Sequence, residues 1–364
     1  MSKAIVDLKE FQSAVKRVSS VMIKKSTTFE ILRYLLKLAI GDGALMLATT
    51  DMYTTYNAFL DCDGADWIGY INASQLEPIL RYEPKGKTDL TIEYNDNSIA
   101  FRADSIVVTC NQLDKEYADS AFTPMVFDKE YKKSIQITKD ECKKFKSALV
   151  CVSKDKNKID FTGAAFMHHN IVATDGHRLY KGDCPNGDEF FSGIIQTKLM
   201  KVIADGLTGE LYERKQKSGS LYHVLLADNG DIIISKHIAG QFPDFSAVIP
   251  KRWEGQTTID KHIYEIIKTY AAGFKDSHIC FLGDETVIEQ IGKKGCNEIR
   301  HFQKIEGMPN GLAVNTQYLL NAIEPFLNGC QFYWVDMNSP MWIGEQIVEG
   351  KAGTGTLVMP VQLL

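Results

Sequence analysis

The strongest constraint on this chain is a recurrence. Amphipathic helix candidates come in pairs, and corresponding members return after roughly 120 to 130 residues. The first members are Leu8–Met22, Lys139–Ser153 and Lys261–Phe274; the second are Ala73–Tyr82, Lys198–Ala204 and Thr316–Leu327. In the second unit Cys142, Phe145, Leu149 and Val152 form one apolar stripe, with Lys139, Lys143, Lys144 and Lys146 mostly on the other faces. Between the helices the chain alternates as short strands do: Leu45–Thr49, Thr88–Glu93, Ser98–Arg102, Ile106–Cys110, Leu221–Ala227, Asp231–Lys236, Gln331–Val335 and Leu357–Val361. At 364 residues the chain is too long for one ordinary core. Strand-rich units with two helices each predict an α+β fold, with three similar domains whose helices pack on antiparallel sheets. The expected domains are 1–129, 130–251 and 252–364, with boundaries near Phe127–Tyr131 and Pro250–Gly255.

Local chemistry supports the helix starts. Thr138 with Glu141 reads as a capping box, and Asn72 with Gln75 as another. Thr197 and Asn315 are expected N-caps. Pro78 sits inside its helix candidate, which predicts a late start or a kink there. Gly41-Asp42-Gly43, Asn95-Asp96-Asn97 and Asn229-Gly230 are turn signals.

Three stretches go further. Ile171–Tyr180 reads IVATDGHRLY, Ser235–Lys251 reads SKHIAGQFPDFSAVIPK, and Leu357–Leu364 reads LVMPVQLL. Together, in this order and near this spacing, they resemble the bacterial DNA polymerase III β subunit family, the sliding clamps. The resemblance covers the whole chain. It implies a head-to-tail homodimer ring around duplex DNA that performs no chemistry and carries no cofactor. The ring would tether the replicative polymerase and other DNA enzymes, and an ATP-driven clamp loader would open it.

The net charge of −5 excludes only a uniformly basic protein, because affinity for DNA depends on where cations sit. With eight arginines among 41 basic residues, sequence-blind phosphate contact is favoured over base reading. The expected DNA-facing set is Lys9, Lys16, Arg17, Lys24, Lys25, Arg81, Lys85 and Lys87, then Lys143, Lys144, Lys146, Lys198 and Lys201, then Lys261, Lys268 and Lys275. Thr316–Leu327 lacks basic residues and carries Glu324, so it is expected to contribute little.

The resemblance also implies a cleft for a short partner peptide with apolar and Gln side chains. Its wall would hold Phe161, Thr174, Gly176, His177, Arg178, Leu179, Pro243, Val248, Tyr318, Val358, Met359, Pro360, Val361 and Leu363. Pro, Val, Met and Leu would give an apolar floor; Thr174, His177 and Arg178 would give directional polar contacts. Ala247 and Gln362 stand where many relatives have arginine, and Leu364 extends the tail, which leaves partner preference open. Ring closure would use the Ile106–Cys110 edge, with Ile106, Val108 and Cys110, against Gly273 and Phe274.

Two other readings compete. His168, His169, Asp175 and His177 could hold a metal for a hydrolase, although adjacent histidines on a strand would face opposite ways. A monomeric peptide-binding scaffold is the other. No apolar run reaches the roughly 18 residues of a membrane span, and the start MSKAIVDLKEF lacks a signal segment, so a cytoplasmic protein is expected. The scattered cysteines (62, 110, 142, 151, 184, 280, 296 and 330) read as reduced core thiols, and no metal is expected.

Overall fold

The computed structural model describes residues 2–25, 30–122, 133–184, 193–216, 219–274, 276–291 and 297–361. Its contacts define two compact units. One comprises Met1–Thr138 with Leu207–His237, the other Lys139–Gly206 with Ile238–Leu364.

In the first unit, helix α1 (Leu8–Val18) buries Leu8, Phe11, Ala14, Val15 and Val18, a single stripe at helical spacing. Asp7 starts it by accepting from the N–H groups of Lys9 and Glu10. The stripe packs on two antiparallel sheets, and Phe11 meets Phe101 at 5.7 Å between ring centres. One sheet is five-stranded, in the order Asp63–Gly64, Ser2–Asp7, Asp89–Tyr94, Ser98–Ala103, Ile106–Asn111. The other is eight-stranded: Lys133–Ile137, Gly209–Lys215, Leu221–Ala227, Ile232–Lys236, Thr54–Asp61, Ala44–Thr50, Leu35–Gly41, Trp67–Asn72. Its middle seam pairs Ile232 to Ser235 with Asn57 to Thr54, so strands far apart in sequence share one ladder.

The expected second helix of this region is shorter and broken. A 3₁₀ turn, Ala73–Leu76, precedes helix α2 (Glu77–Leu80), with Pro78 in its first turn, where a missing N–H costs nothing. Asn72 caps the 3₁₀ turn through the N–H of Ser74. Helix α3 (Lys115–Asp119), capped by Asp114, has no counterpart among the sequence expectations.

In the second unit, helices α4 (Lys139–Leu149) and α5 (Thr197–Ala204) pack together, as do α6 (Lys261–Ala271) and α7 (Thr316–Ile323). Thr197 is the first residue of α5 and not its N-cap; its hydroxyl donates instead to the carbonyl of Thr162. Asn315 does cap α7, accepting from the N–H of Tyr318 at 3.0 Å. Pro325 turns the end of that helix into a 3₁₀ turn, Glu324–Phe326. The larger sheet runs Ile194–Gln196, Gly163–Met167, Asn170–Thr174, Arg178–Asp183, Gly355–Val358, Met341–Gly344, Cys330–Trp334, Gly255–Ile259. The smaller runs Asn297–Gln303, Glu285–Ile291, Ser277–Phe281, Leu312–Asn315. Ile267, Phe281, Leu319, Phe332 and Met341 are core residues of this unit, at 1% exposure or less.

Element order repeats along the described residues. Strand, helix, four strands, helix, three strands occurs from Lys133 to Lys236 and again from Gly255 to Val358; Ser2 to Asn111 follows the same order with the short Asp63–Gly64 strand added. The boundary stretch Phe127–Tyr131 lies outside the described residues. The described cysteines are free and buried, whereas Cys296 is outside the described set.

Candidate functional site

The corner Thr174-Asp175-Gly176-His177-Arg178 closes on itself. Asp175 accepts from the N–H groups of His177 (2.9 Å) and Arg178 (3.1 Å). The Thr174 hydroxyl donates to the Arg178 carbonyl at 2.7 Å and accepts from the Gly176 N–H at 3.0 Å. Gly176 has φ +92°, a left-handed conformation that a side chain would strain. The signature is therefore a turn recipe before it is a binding motif.

Arg178 ties this corner to two helices. Its Nε donates to Asp175 at 3.0 Å, its Nη2 donates to the carbonyl of Val150 just beyond α4, and its guanidinium carbon lies 4.1 Å from the centre of the Tyr318 ring on α7. A cavity of about 730 Å³ opens beside these groups, lined by Leu149, Val150, Val152, Ser153, Lys154, Asp155, Lys158, Asp175, His177, Arg178, Asp276, Asn315, Gln317, Tyr318 and Asn321. Burial, then the Asp175 charge, raises the Tyr318 hydroxyl pKa. Burial pushes the neighbouring Cys151 thiol up to about 12, so it is not a nucleophile at neutral pH.

The terminal strand flanks the corner. Val358 pairs with Arg178, Met359 donates its N–H to the His177 carbonyl at 2.9 Å, and Val361 donates to the Ala313 carbonyl at 2.8 Å. Alternation then divides the predicted floor. Val358 and Leu179 are core residues at 0% and 6% exposure, while Met359 is 40% exposed. Pro360 and Val361 are half-buried.

Thr174 is buried and its hydroxyl is engaged inside the turn. Arg178 is held by Asp175, Val150 and Tyr318, while its buried Nη1 has no hydrogen-bond partner among the described residues. His177 remains exposed. Phe161, Pro243 and Val248 do not line the same cavity. Phe161 sits edge-on to Phe242 at 6.3 Å, and Val248, 48% exposed, ends the 3₁₀ turn Phe245–Val248 that Asp244 caps. Ala247 is exposed too, whereas Gln362, Leu363 and Leu364 lie outside the described residues. The residues just beyond α4 were missed; the signal was Val150, an apolar side chain left 38% exposed where its helix ends.

Of the basic residues, Lys9, Lys16, Lys24, Lys25, Arg81, Lys85, Lys87, Lys143, Lys146, Lys201, Lys261 and Lys268 are exposed, and Lys198 is half-buried. Arg81 pairs with Glu77 on the surface. Two others are engaged more deeply. Arg17 Nε donates to the buried Asp231 at 2.6 Å, and the Tyr56 hydroxyl donates to the same carboxylate at 2.8 Å. Lys144 pairs with Asp140 at 2.7 Å and is 16% exposed. Lys275 lies outside the described residues.

At the expected interface, Ile106–Asn111 is an open sheet edge, but Cys110 faces the core at 0% exposure; Ile106 and Val108 are half-buried, and Val107 is the exposed apolar residue. Arg300, on the edge strand Asn297–Gln303, donates to the Tyr270 and Ala272 carbonyls at the end of α6 and covers the Phe274 ring at 3.8 Å. Gly273, with φ +82°, is exposed beside it.

His168 and His169 occupy a hairpin turn at φ +49° and +60°, not a strand. They form no ligand cluster with Asp175 or His177 among the described residues.

No family model matches the chain. Among curated proteins it is 23% identical over 379 residues to the beta sliding clamp of Rickettsia bellii (strain RML369-C), covering 94% of this chain and 96% of that one. Solved structures decide the architecture. The DNA polymerase III subunit beta of Borrelia burgdorferi superposes with a TM-score of 0.82 at 15% identity, covering 100% of both chains. The chain has the fold of the bacterial sliding clamps. The clamp of Pseudomonas aeruginosa, solved with griselimycin, matches at a TM-score of 0.77 and 17% identity over 100% of both chains. The Helicobacter pylori clamp, solved with a DNA ligase peptide, matches at 0.76 and 17%, over 99% of this chain and 100% of that one. Likeness to the clamp fold over the full length does not favour the hydrolase reading.

Proposed function

We propose that this chain is a DNA sliding clamp: a processivity factor that encircles duplex DNA, reads no sequence, and holds the replicative polymerase and other DNA enzymes by short peptides. The observation that carries this reading is the thrice-used element order, which runs through the full clamp fold. Three domains, 1–129, 130–251 and 252–364, would then be the repeated units, and two chains would close head to tail into a ring. The protein would act in the cytoplasm, beside the chromosome; no helix among the described residues is long and apolar enough to cross a membrane.

The exposed lysines of the helices supply weak, exchangeable phosphate contacts, while topology supplies retention. Lys9, Lys16, Lys143, Lys146, Lys201, Lys261 and Lys268 suit that role; Arg17 and Lys144 are committed to carboxylates of their own chain. The partner peptide is expected across the Met359–Val361 segment and into the cavity beside Tyr318, with His177 at its rim. Each partner Leu or Phe buried there contributes about 1.5–3 kcal/mol. The interface is expected between the Ile106–Asn111 edge and the Asn297–Gln303 edge, where Val107 (47% exposed) and Ile299 (49% exposed) leave apolar surface uncovered.

The deciding experiment loads the chain with a clamp loader onto nicked circular DNA. Protein retained on circles in high salt, and released when the circle is linearised, is the expected result. Equal retention on both forms defeats the ring.

A further inference from the structure

A separate cluster of titratable side chains lies in the first unit. Glu213 on strand Gly209–Lys215 pairs directly with His223 on strand Leu221–Ala227. His223 pairs in turn with Ser235, and His237 follows two residues later, diagonal to His223 on the same face. Glu213 and His223 are each 0% exposed, and the His237 side chain is 8% exposed. The ligand atoms of all three lie within 4.8 Å of one another, and His237 Nε2 is 3.7 Å from the Glu213 carboxylate. The two imidazoles stack at 3.8 Å.

We infer that Glu213, His223 and His237 form a binding site for one divalent transition-metal ion of the zinc type. The Glu213 carboxylate and two imidazoles are gathered in one buried place, with one oxygen and two ring nitrogens turned towards each other. Two nitrogens and one carboxylate oxygen suit a borderline ion; calcium and magnesium prefer oxygen alone. Ligands about 2.0–2.2 Å from a tetrahedral ion stand about 3.3–3.6 Å apart, so a pair at the 4.8 Å limit must draw in by about 1.2–1.5 Å, which rotation of the imidazoles can supply. The Ser235 hydroxyl does not compete, since it is bonded to Thr54 at 3.0 Å. The ion would bridge two neighbouring strands and the residue that follows a third. This departs from the sequence expectation of no metal, and it stands whether or not the clamp reading does.

The test uses the untagged full-length chain, stripped with EDTA and titrated calorimetrically with zinc chloride. Tight binding of one equivalent per chain is expected, with a melting temperature that rises with free zinc. His237→Asn and Glu213→Gln should each weaken binding at least tenfold. A wild-type chain that binds no stoichiometric zinc overturns the site, as does undiminished binding by a folded His237→Asn chain. X-ray absorption of the zinc-loaded wild type does not depend on variants folding. Two imidazole nitrogens with oxygen are expected; sulfur ligation or an all-oxygen shell overturns the assignment.

Discussion

Arg178 and Tyr318, 140 residues apart in sequence, are in face-on contact, the guanidinium 4.1 Å from the ring centre. Asp175 and the Val150 carbonyl hold the same guanidinium in place. Arg178 thus shapes the cavity wall, and under the proposed function a partner peptide would meet its shape more than its charge. Arg178→Ala is expected to weaken binding of a labelled polymerase-derived peptide about tenfold, about 1.4 kcal/mol. Tyr318→Phe keeps the ring and should change affinity less than twofold. Fluorescence polarisation with both variants checks this; equal losses would show that the hydroxyl, not the stack, matters.

Lys16 and Arg17 are neighbours on α1 with opposite expected phenotypes. Lys16→Ala should leave stability unchanged and lower the steepness of the log–log salt dependence of DNA binding by about 0.9. Arg17→Ala strands Asp231 in the core with, among the described residues, the Tyr56 hydroxyl and the Asn229 amide as its remaining hydrogen-bonding side chains. A loss of about 2–3 kcal/mol in urea unfolding is expected.

Val107→Asp is expected to convert a dimer into monomers in sedimentation velocity. Met52→Asp, which changes a 47% exposed residue away from the strand edges, should leave the dimer intact. A wild-type chain that is monomeric at micromolar concentration would remove the ring altogether.

Burial raises the Cys110 thiol from 9.0 to about 11. Its contribution is present in full below pH 9.0 and is lost as pH rises towards about 11, because the unfolded chain releases the proton first. Each such thiol steepens the alkaline fall by up to about 1.4 kcal/mol per pH unit. Cys151 and Cys330, both raised to about 12, add to the slope. Urea midpoints at pH 8, 9 and 10 measure it, and Cys110→Ala should flatten the curve.

Gly176→Ala should destabilise the corner by about 1–2 kcal/mol, since φ +92° is strained for any side chain. Loss of peptide binding with the rest of the fold intact is the expected readout by calorimetry.

The long helices were legible because their stripes are long and unbroken. Leu8–Met22 overran the observed end by four residues, since Ser19 leaves the helix by bonding back to the Val15 carbonyl. Strand Leu221–Ala227 was legible at both ends, whereas Gly163–Met167 and Asn170–Thr174 were not, because buried on both faces they show no alternation. The cleft was legible as a motif but not as a cavity. Which side chains point inward depends on pairing such as Arg178 with Val358, and no local pattern reports a partner 180 residues away. The Glu213–His223–His237 cluster was invisible for the same reason: its members meet across strands, not along the chain.

The seam that pairs Ile232–Ser235 with Thr54–Asn57 has a mechanical consequence. A ladder shared by strands so far apart in sequence has no hinge at that join, since bending there would shear backbone bonds in register. The pairing of Arg178 to Lys181 with Val358 to Gly355 makes a second such join, so compliance in the proposed clamp is expected in its loops.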